Sequence, residues 1–452
     1  MDWHNEYRRK LISAEEAAGL VESGMWIDYG HGRGIARLID EELAKRASEL
    51  EKVKIRYDIP TSPLKVVEVD PKQEHFIAHT WFLGQAERKY ADMGACQYSP
   101  HHYGDSPRAY REFLKDQVDI AFVDVTPMDK YGYFNFGAAC SYEKAVCDVA
   151  KTVVMEVNES QPWVYGGFDE VIHISEVDYI VENNKYGVDE IMMPTPTKKE
   201  EQIAGNIAEL IEDEATIQIG IGNIPNTVGN LLIERGAKDL GIHTELFTET
   251  MMNLIEAGVV TGRKKTINSG RAVCCDVWGT RRVYDFVDHN RMIAAFPVNY
   301  TNDPYVISQN YKQVAINNAL RIDLTGQVNA ESIGPRQVSG SGGQVEFTRG
   351  AYMSAGGKAI IAISSTHTTK DRKLVSNIVP TLDAGDVVTT PRTDVSYIVT
   401  EFGVVNLRGR TLWERAKLLI SIAHPDFRDE LEEAALRLNF ITRGTRELSH
   451  GR

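Results

Sequence analysis

The sequence predicts an α/β protein of two similar open α/β domains, on three observations. A capped helix, a strand, a glycine loop and a second helix follow one another in the same order twice, once around Gly30 and once around Gly220. Between the copies lies Met193-Pro194-Thr195-Pro196-Thr197, a proline-punctuated join. Each half also carries short runs so apolar that they suit strands covered on both faces.

The first copy opens at Ser13-x-x-Glu16, a capping box; Ala14 to Val21 is rich in helix formers and Gly24 stops it. Met25 to Tyr29 reads as a strand entering Gly30-His31-Gly32-Arg33-Gly34. Ala36 to Leu50 is expected to be helical, with Leu38, Ile39, Leu43 and Leu50 on or near one face. Ile120–Val123 and Thr152–Met155 are the buried strands of this half. The join divides the chain into a first domain, residues 1–193, and a second, residues 194–452.

In the second copy, Thr197-x-x-Glu200 is again a capping box, followed by a stripe of Ile203, Ile207, Leu210 and Ile211. The strand from Ala215 to Ile219 feeds Gly220-Ile221-Gly222-Asn223-Ile224-Pro225, and a helix follows with Val228, Leu231 and Leu232. Gly30 aligns with Gly220, Gly32 with Gly222 and Leu38 with Val228. Ala359–Ile363 and Ser396–Val399 are further buried strands. Helices are expected near Leu412–Ala423 and, acidic, over Asp429–Leu438, before a frayed polar end.

At 452 residues the chain can bury a large core, and its formal charge of −14 argues against a nucleic-acid footprint. No apolar run approaches the ~20 residues a membrane span needs, and the start lacks the pattern of a signal peptide. Cys96, Cys140, Cys147, Cys274 and Cys275 form no Cys-x-x-Cys pair, which points to a reducing cytoplasmic setting without structural zinc.

Three glycine loops carry the candidate chemistry: those at Gly30 and Gly220, and Gly340-Ser341-Gly342-Gly343-Gln344. Glycines let a backbone approach a ligand and turn its N–H groups toward an oxyanion or phosphate, although such loops also serve as ordinary turns. None has the P-loop or dinucleotide spacing, and no Gly-x-Ser-x-Gly elbow is present. Gly241-Ile242-His243-Thr244-Glu245 brings one carboxylate to the end of the next strand. Beside an anion-stabilising loop, a lone carboxylate suits attack on an acyl group. In isolation Glu245 and Glu249, four apart, read as a solvated helix face, and only their context makes chemistry credible; His243 reads as structural.

At these residues the chain resembles the class I CoA-transferases, in the acetyl-CoA hydrolase/transferase branch that includes 4-hydroxybutyrate and butyryl-CoA:acetate CoA-transferases. Further matches are Gly340 to Phe347, Val388-Thr389-Thr390-Pro391-Arg392, Val399 to Val404, Leu407-Arg408-Gly409-Arg410 and Pro127-Met128-Asp129-x-x-Gly132-Tyr133-Phe134. The resemblance implies two domains of the NagB/RpiA/CoA-transferase-like type with the active site between them. It implies Glu245 as nucleophile, passing through an acyl-glutamyl anhydride and a glutamyl-CoA thioester, with no metal and no permanently bound cofactor, coenzyme A being a substrate.

Candidate oxyanion and substrate-loop residues are then Gly222, Asn223, Gly342, Gly343 and Gln344. Candidate CoA contacts are Gly220, Ile221, Gly340, Gly357 and Lys358, the last equally readable as a strand-edge charge. His31, Arg33 and the Tyr98–Tyr103 stretch are candidates for shaping the acyl pocket. The expected partners are an acyl-CoA and a small carboxylate, in a homodimer or dimer of dimers. Hydrolysis of the acyl-CoA, or transfer to succinate or itaconate, are the alternatives on the same site; a non-catalytic acyl-CoA sensor or a sugar-phosphate isomerase fits the motif set less well. The chain departs from the family's pattern at Thr248-Glu249-Thr250, Glu346 and Phe402, and the first departure leaves the acyl group open.

Overall fold

The computed structural model describes residues 3–191 and 195–441. The join at Met193-Pro194 and the polar end therefore lie outside the described residues. Seven strands build the first sheet: β1 Trp26–His31, β2 Val53–Asp58, β3 Phe76–Thr80, β4 Gln97–Tyr98, β5 Ile120–Val125, β6 Thr152–Asn158 and β7 Tyr179–Asn183. They are ordered β4-β3-β2-β1-β5-β6-β7 and every pairing is parallel. Six more build the second sheet: β8 Thr216–Ile219, β9 Gly241–Ile242, β10 Gln313–Asn318, β11 Lys358–Ala362, β12 Tyr397–Thr400 and β13 Gly403–Asn406. Their order is β9-β8-β10-β11-β12-β13, parallel except for the closing hairpin β12–β13.

Both sheets are buried on two faces, as the apolar runs require. On β5, Ile120 and Phe122 join one core cluster while Ala121, Val123 and Val125 join the other. On β11, Ile360 and Ala362 face one cluster and Ile361 the opposite one. Alternation along a strand sends successive side chains to opposite faces, so only an all-apolar run satisfies both. The five cysteines are free and buried.

The capping boxes at Ser13 and Thr197 form, each with side chain and backbone bonded reciprocally. The long helix expected over Ala36–Leu50 is shorter: it spans Arg37–Ala44, and a separate turn covers Ala47–Glu49. Arg46 explains the break. Its guanidinium turns back to donate to the carbonyls of Ala18 and Val21 (2.9 Å), ending the helix in time for β2.

The strand ends set the site. In open parallel sheets ligands bind beyond the carboxyl ends of the strands. Here His31 of β1 and Asp58 of β2 face Asn317 and Asn318 of β10 and the Gly220 loop after β8 across one cavity. The halves are stitched by backbone bonds close to that cavity. The Val277 N–H donates to Ala138 O (2.9 Å), Cys140 N–H to Cys275 O (3.0 Å) and Ala295 N–H to Tyr165 O (2.8 Å).

Candidate active site

Glu245 follows β9 and precedes the short strand Leu246–Thr248. Its carbonyl accepts the N–H groups of both Cys275 and Asp276 at 3.1 Å, which fixes the backbone while the side chain enters the cavity. The Asn302 amide nitrogen donates to Glu245 Oε2 (2.8 Å) and to Glu346 Oε2 (3.1 Å), so one buried amide bridges two carboxyls. Glu346 also accepts the Gly104 N–H (2.9 Å) from the first domain.

Loss of water pushes the Glu245 carboxyl up to about 7, reinforced by the nearby Asp276 and Asp58 and opposed by the Asn302 bond. Burial raises Glu346 to about 8. Glu245 is thus a partly dehydrated carboxyl that ionises near neutrality.

The Gly340 loop packs directly on this carboxyl. A Cβ at Gly343 would sit 2.1 Å from Glu245 Oε2 and 2.3 Å from Asn302 Nδ2, so no side chain fits there. Gly342 has φ +50° and lies against Phe82. Gln344 lines the cleft as well. Its side chain is tied to Thr390 Oγ1 and Asn318 O, and its N–H turns back to Ser341 O, so it anchors the loop.

Gly220, Ile221 and Gly340 line the cavity, but Gly222 and Asn223 are not among its lining residues. Asn223 starts the next helix and turns its amide to the Glu200 carboxylate (3.2 Å), because the capping box of the preceding helix lies beside it. Gly357 and Lys358 are a clear correction. They sit at the opening end of β11, whose far end, Ala362, pairs with the cavity-lining Asn318. Lys358 binds Glu212 and Leu210 O, both at 2.7 Å. A Cβ at Gly357 would meet Ala351 O at 2.2 Å, so this glycine serves close packing.

The cleft has a volume of about 760 Å³ and opens inward to a chamber of about 230 Å³. Glu245, Trp278 and Gly342 belong to both. In the chamber wall, His31 Nε2 lies 3.1 Å from Asp276 and Nδ1 3.4 Å from Asp58, and Tyr103 donates to Asp276 (2.7 Å). Burial would lower the His31 pKa, but Asp276 and Asp58 together hold it well above its usual range. Arg33 stacks on Trp278 at 4.4 Å, behind the wall. Of the Tyr98–Tyr103 stretch, His101 and Tyr103 reach the chamber, whereas Tyr98 binds Glu331.

Glu249 points away, toward Arg282 (3.5 Å) and Thr280. His243 is buried, bonded to Thr301 O (2.9 Å), and pushed down to about 3 by burial, which keeps it neutral.

Comparison with known proteins gives this arrangement a lineage. Residues 1–191 match the acetyl-CoA hydrolase/transferase N-terminal domain and residues 279–435 the corresponding C-terminal domain. The chain belongs to the acetyl-CoA hydrolase/transferase family. A butyryl-CoA:acetate CoA-transferase of Anaerostipes caccae is 42% identical, covering 95% of this chain and 97% of its own. Among solved structures, RipA from Yersinia pestis superposes with a TM-score of 0.88 at 36% identity, over 98% of this chain and all of that one. A 4-hydroxybutyrate CoA-transferase from Porphyromonas gingivalis gives 0.77 at 35%, over 96% and 99%.

Within this family framework, sequence reasoning missed Asn302, Asp276, Trp278 and Phe82. Asn302-Asp303-Pro304 carries only the signal of a helix start, which the structure has at Asp303. Asp276 and Trp278 sit in a short strand with no motif around them.

Proposed function

We propose that this family member moves CoA between a short-chain acyl-CoA and a small carboxylate such as acetate, with Glu245 as the covalent nucleophile. The supporting observation is the Glu245 carboxyl held between the Gly343 backbone and the Asn302 amide, where the cleft meets the inner chamber.

A Glu245 oxygen attacks the thioester carbon, the C–S bond breaks, and an acyl-glutamyl anhydride and CoA thiolate result. The thiolate attacks the glutamyl carbonyl, the anhydride C–O bond breaks, and the acid leaves as its carboxylate. The incoming carboxylate displaces the thiolate from the glutamyl-CoA thioester. The thiolate then attacks the acceptor's carbonyl and regenerates Glu245. Each addition builds an oxyanion, and the N–H groups of Gly342 and Gly343, with those of the Gly220–Ile221 turn, are the candidate donors. The cleft would receive the pantetheine arm and the chamber the acyl chain.

The chamber favours a monocarboxylic acyl group. Among the described residues no lysine or arginine lines it, and the cation there, His31, is already matched by Asp58 and Asp276. A second carboxylate, as in succinate or itaconate, would enter unpaired at a cost. Hydrolysis is the same pathway with water as acceptor, and enclosure of the anhydride opposes it.

The protein is expected in the cytoplasm as a homodimer or dimer of dimers, which light scattering would check. Among the described residues no helix is long and apolar enough to cross a membrane. Borohydride reduction after mixing with butyryl-CoA, followed by peptide mass spectrometry, tests the chemistry. Conversion of Glu245 to its alcohol is expected; no modification from any of a panel of acyl-CoAs would overturn the assignment.

A further inference from the structure

Resting on the CoA-transfer reading above, we propose a second route for the small carboxylate: a surface hollow on the first domain, separated from the Glu245 chamber by the rings of Trp81 and His101. The need for it is geometric. While CoA is joined to Glu245 its pantetheine arm occupies the cleft, yet the first acid has to leave and the second has to arrive before that bond is broken. A single passage would force the acids past the bound arm.

The hollow has a volume of about 330 Å³ and is lined by Trp26, Arg56, His79, Ser99, Phe113 and Gln117 beside Trp81 and His101. It shares those last two residues with the inner chamber and none with the outer cleft. The partition is therefore one ring pair thick. The two rings pack against each other at a tilt of 33°, with centroids 4.3 Å apart.

Each backbone is held by the glycine loop. Ser341 Oγ donates to His101 O (2.6 Å), and Gly340 packs so closely on Trp81 O that an added Cβ would lie 2.7 Å from it. The His101 ring is held less firmly, since its buried Nε2 has no hydrogen-bond partner. Rotation of that ring would breach the wall without breaking a bond at Nε2. Because the loop that touches Glu245 also touches both halves of the partition, formation of the thioester and passage of the acid would be coupled.

The hollow also presents a guanidinium, which the lining of the chamber lacks. Arg56 keeps its charge at every working pH and stacks over Trp26 at 4.7 Å; Asp28 pairs with it at 3.4 Å, so an incoming carboxylate would share the guanidinium with Asp28. The Lys54 ammonium lies 5.4 Å from the same tryptophan ring. A carboxylate would collect here and cross one aromatic wall to reach the anhydride-forming carbon.

Filling the hollow tests this without touching Glu245. Ser99→Trp and Gln117→Trp, with Gln117→Phe as a milder version, are assayed with butyryl-CoA and acetate, and thermal melting confirms that each is folded. The expected result is a fall of at least roughly tenfold in kcat/KM for acetate, the scale of one lost favourable contact. The single-turnover rate of glutamyl-CoA formation from butyryl-CoA is expected to stay near wild type. Unchanged kinetics for acetate, or equal losses for acetate and thioester formation, would overturn the route while leaving the CoA-transfer reading in place. A wild-type chain that forms no glutamyl-CoA would overturn that reading and the route with it.

Discussion

Glu245 makes activity and stability run in opposite directions with pH. Its carboxyl is raised from an ordinary 4.5 to about 7, so the nucleophilic form grows in as pH rises through about 7, and kcat/KM of the free enzyme is expected to rise with it. The folded state binds the proton more tightly than the unfolded chain. The stability this contributes is complete below about 4.5 and is lost by about 7. Glu245→Gln is therefore expected to melt above wild type at pH 8 and level with it at pH 4, while transfer falls by roughly 10⁴-fold or more, the scale of losing a nucleophile. Asn302→Ala removes a hydrogen bond to the charged form. Activity is expected to fall by about 10–100-fold, and the acid limb of the pH profile should move upward; a profile left in place would deny Asn302 its positioning role. Glu249→Gln, whose charge faces Arg282, is expected to keep most activity in the same assay.

At the scale of elements, the Gly340 loop and β11 make contrasting predictions. Gly343→Ala pushes a methyl group into the space of the Glu245 carboxylate and the Asn302 amide. Loss of transfer with a retained melting temperature is expected, and an active variant would remove the loop from the site. Lys358→Met breaks a partly exposed pair with Glu212, worth about 1 kcal/mol or less. KM for the acyl-CoA should not change. The sequence made some of this legible and concealed the rest for a physical reason. Glycine spacing after β1 and β8, both capping boxes and the apolar strands are local signals, and each sits where local rules put it. Lys358 was a candidate CoA contact only through the family resemblance; the register of β11 against β10 puts it at the end of the strand away from the cavity. The shortened helix after Gly34 was hidden likewise, since Arg46 turns back to carbonyls at and just past the end of the preceding helix.

Across the whole molecule, the site exists only where distant segments converge. Gly104 of the first domain reaches Glu346 of the second, Tyr103 reaches Asp276, and Ser341 reaches back to His101. The two-domain plan was readable from the repeat, but these contacts join residues more than a hundred positions apart and leave no periodic trace. The burial of all five cysteines has a consequence for the company this protein keeps. Burial drives the Cys96 thiol up to about 12 and holds the Cys140 and Cys275 thiols well above their usual range. Thiol–disulfide exchange needs an accessible thiolate. A CoA thiol or CoA disulfide reaching this protein thus finds no cysteine sulfur exposed to capture it, and mixed disulfides with CoA are not expected to form on the folded chain.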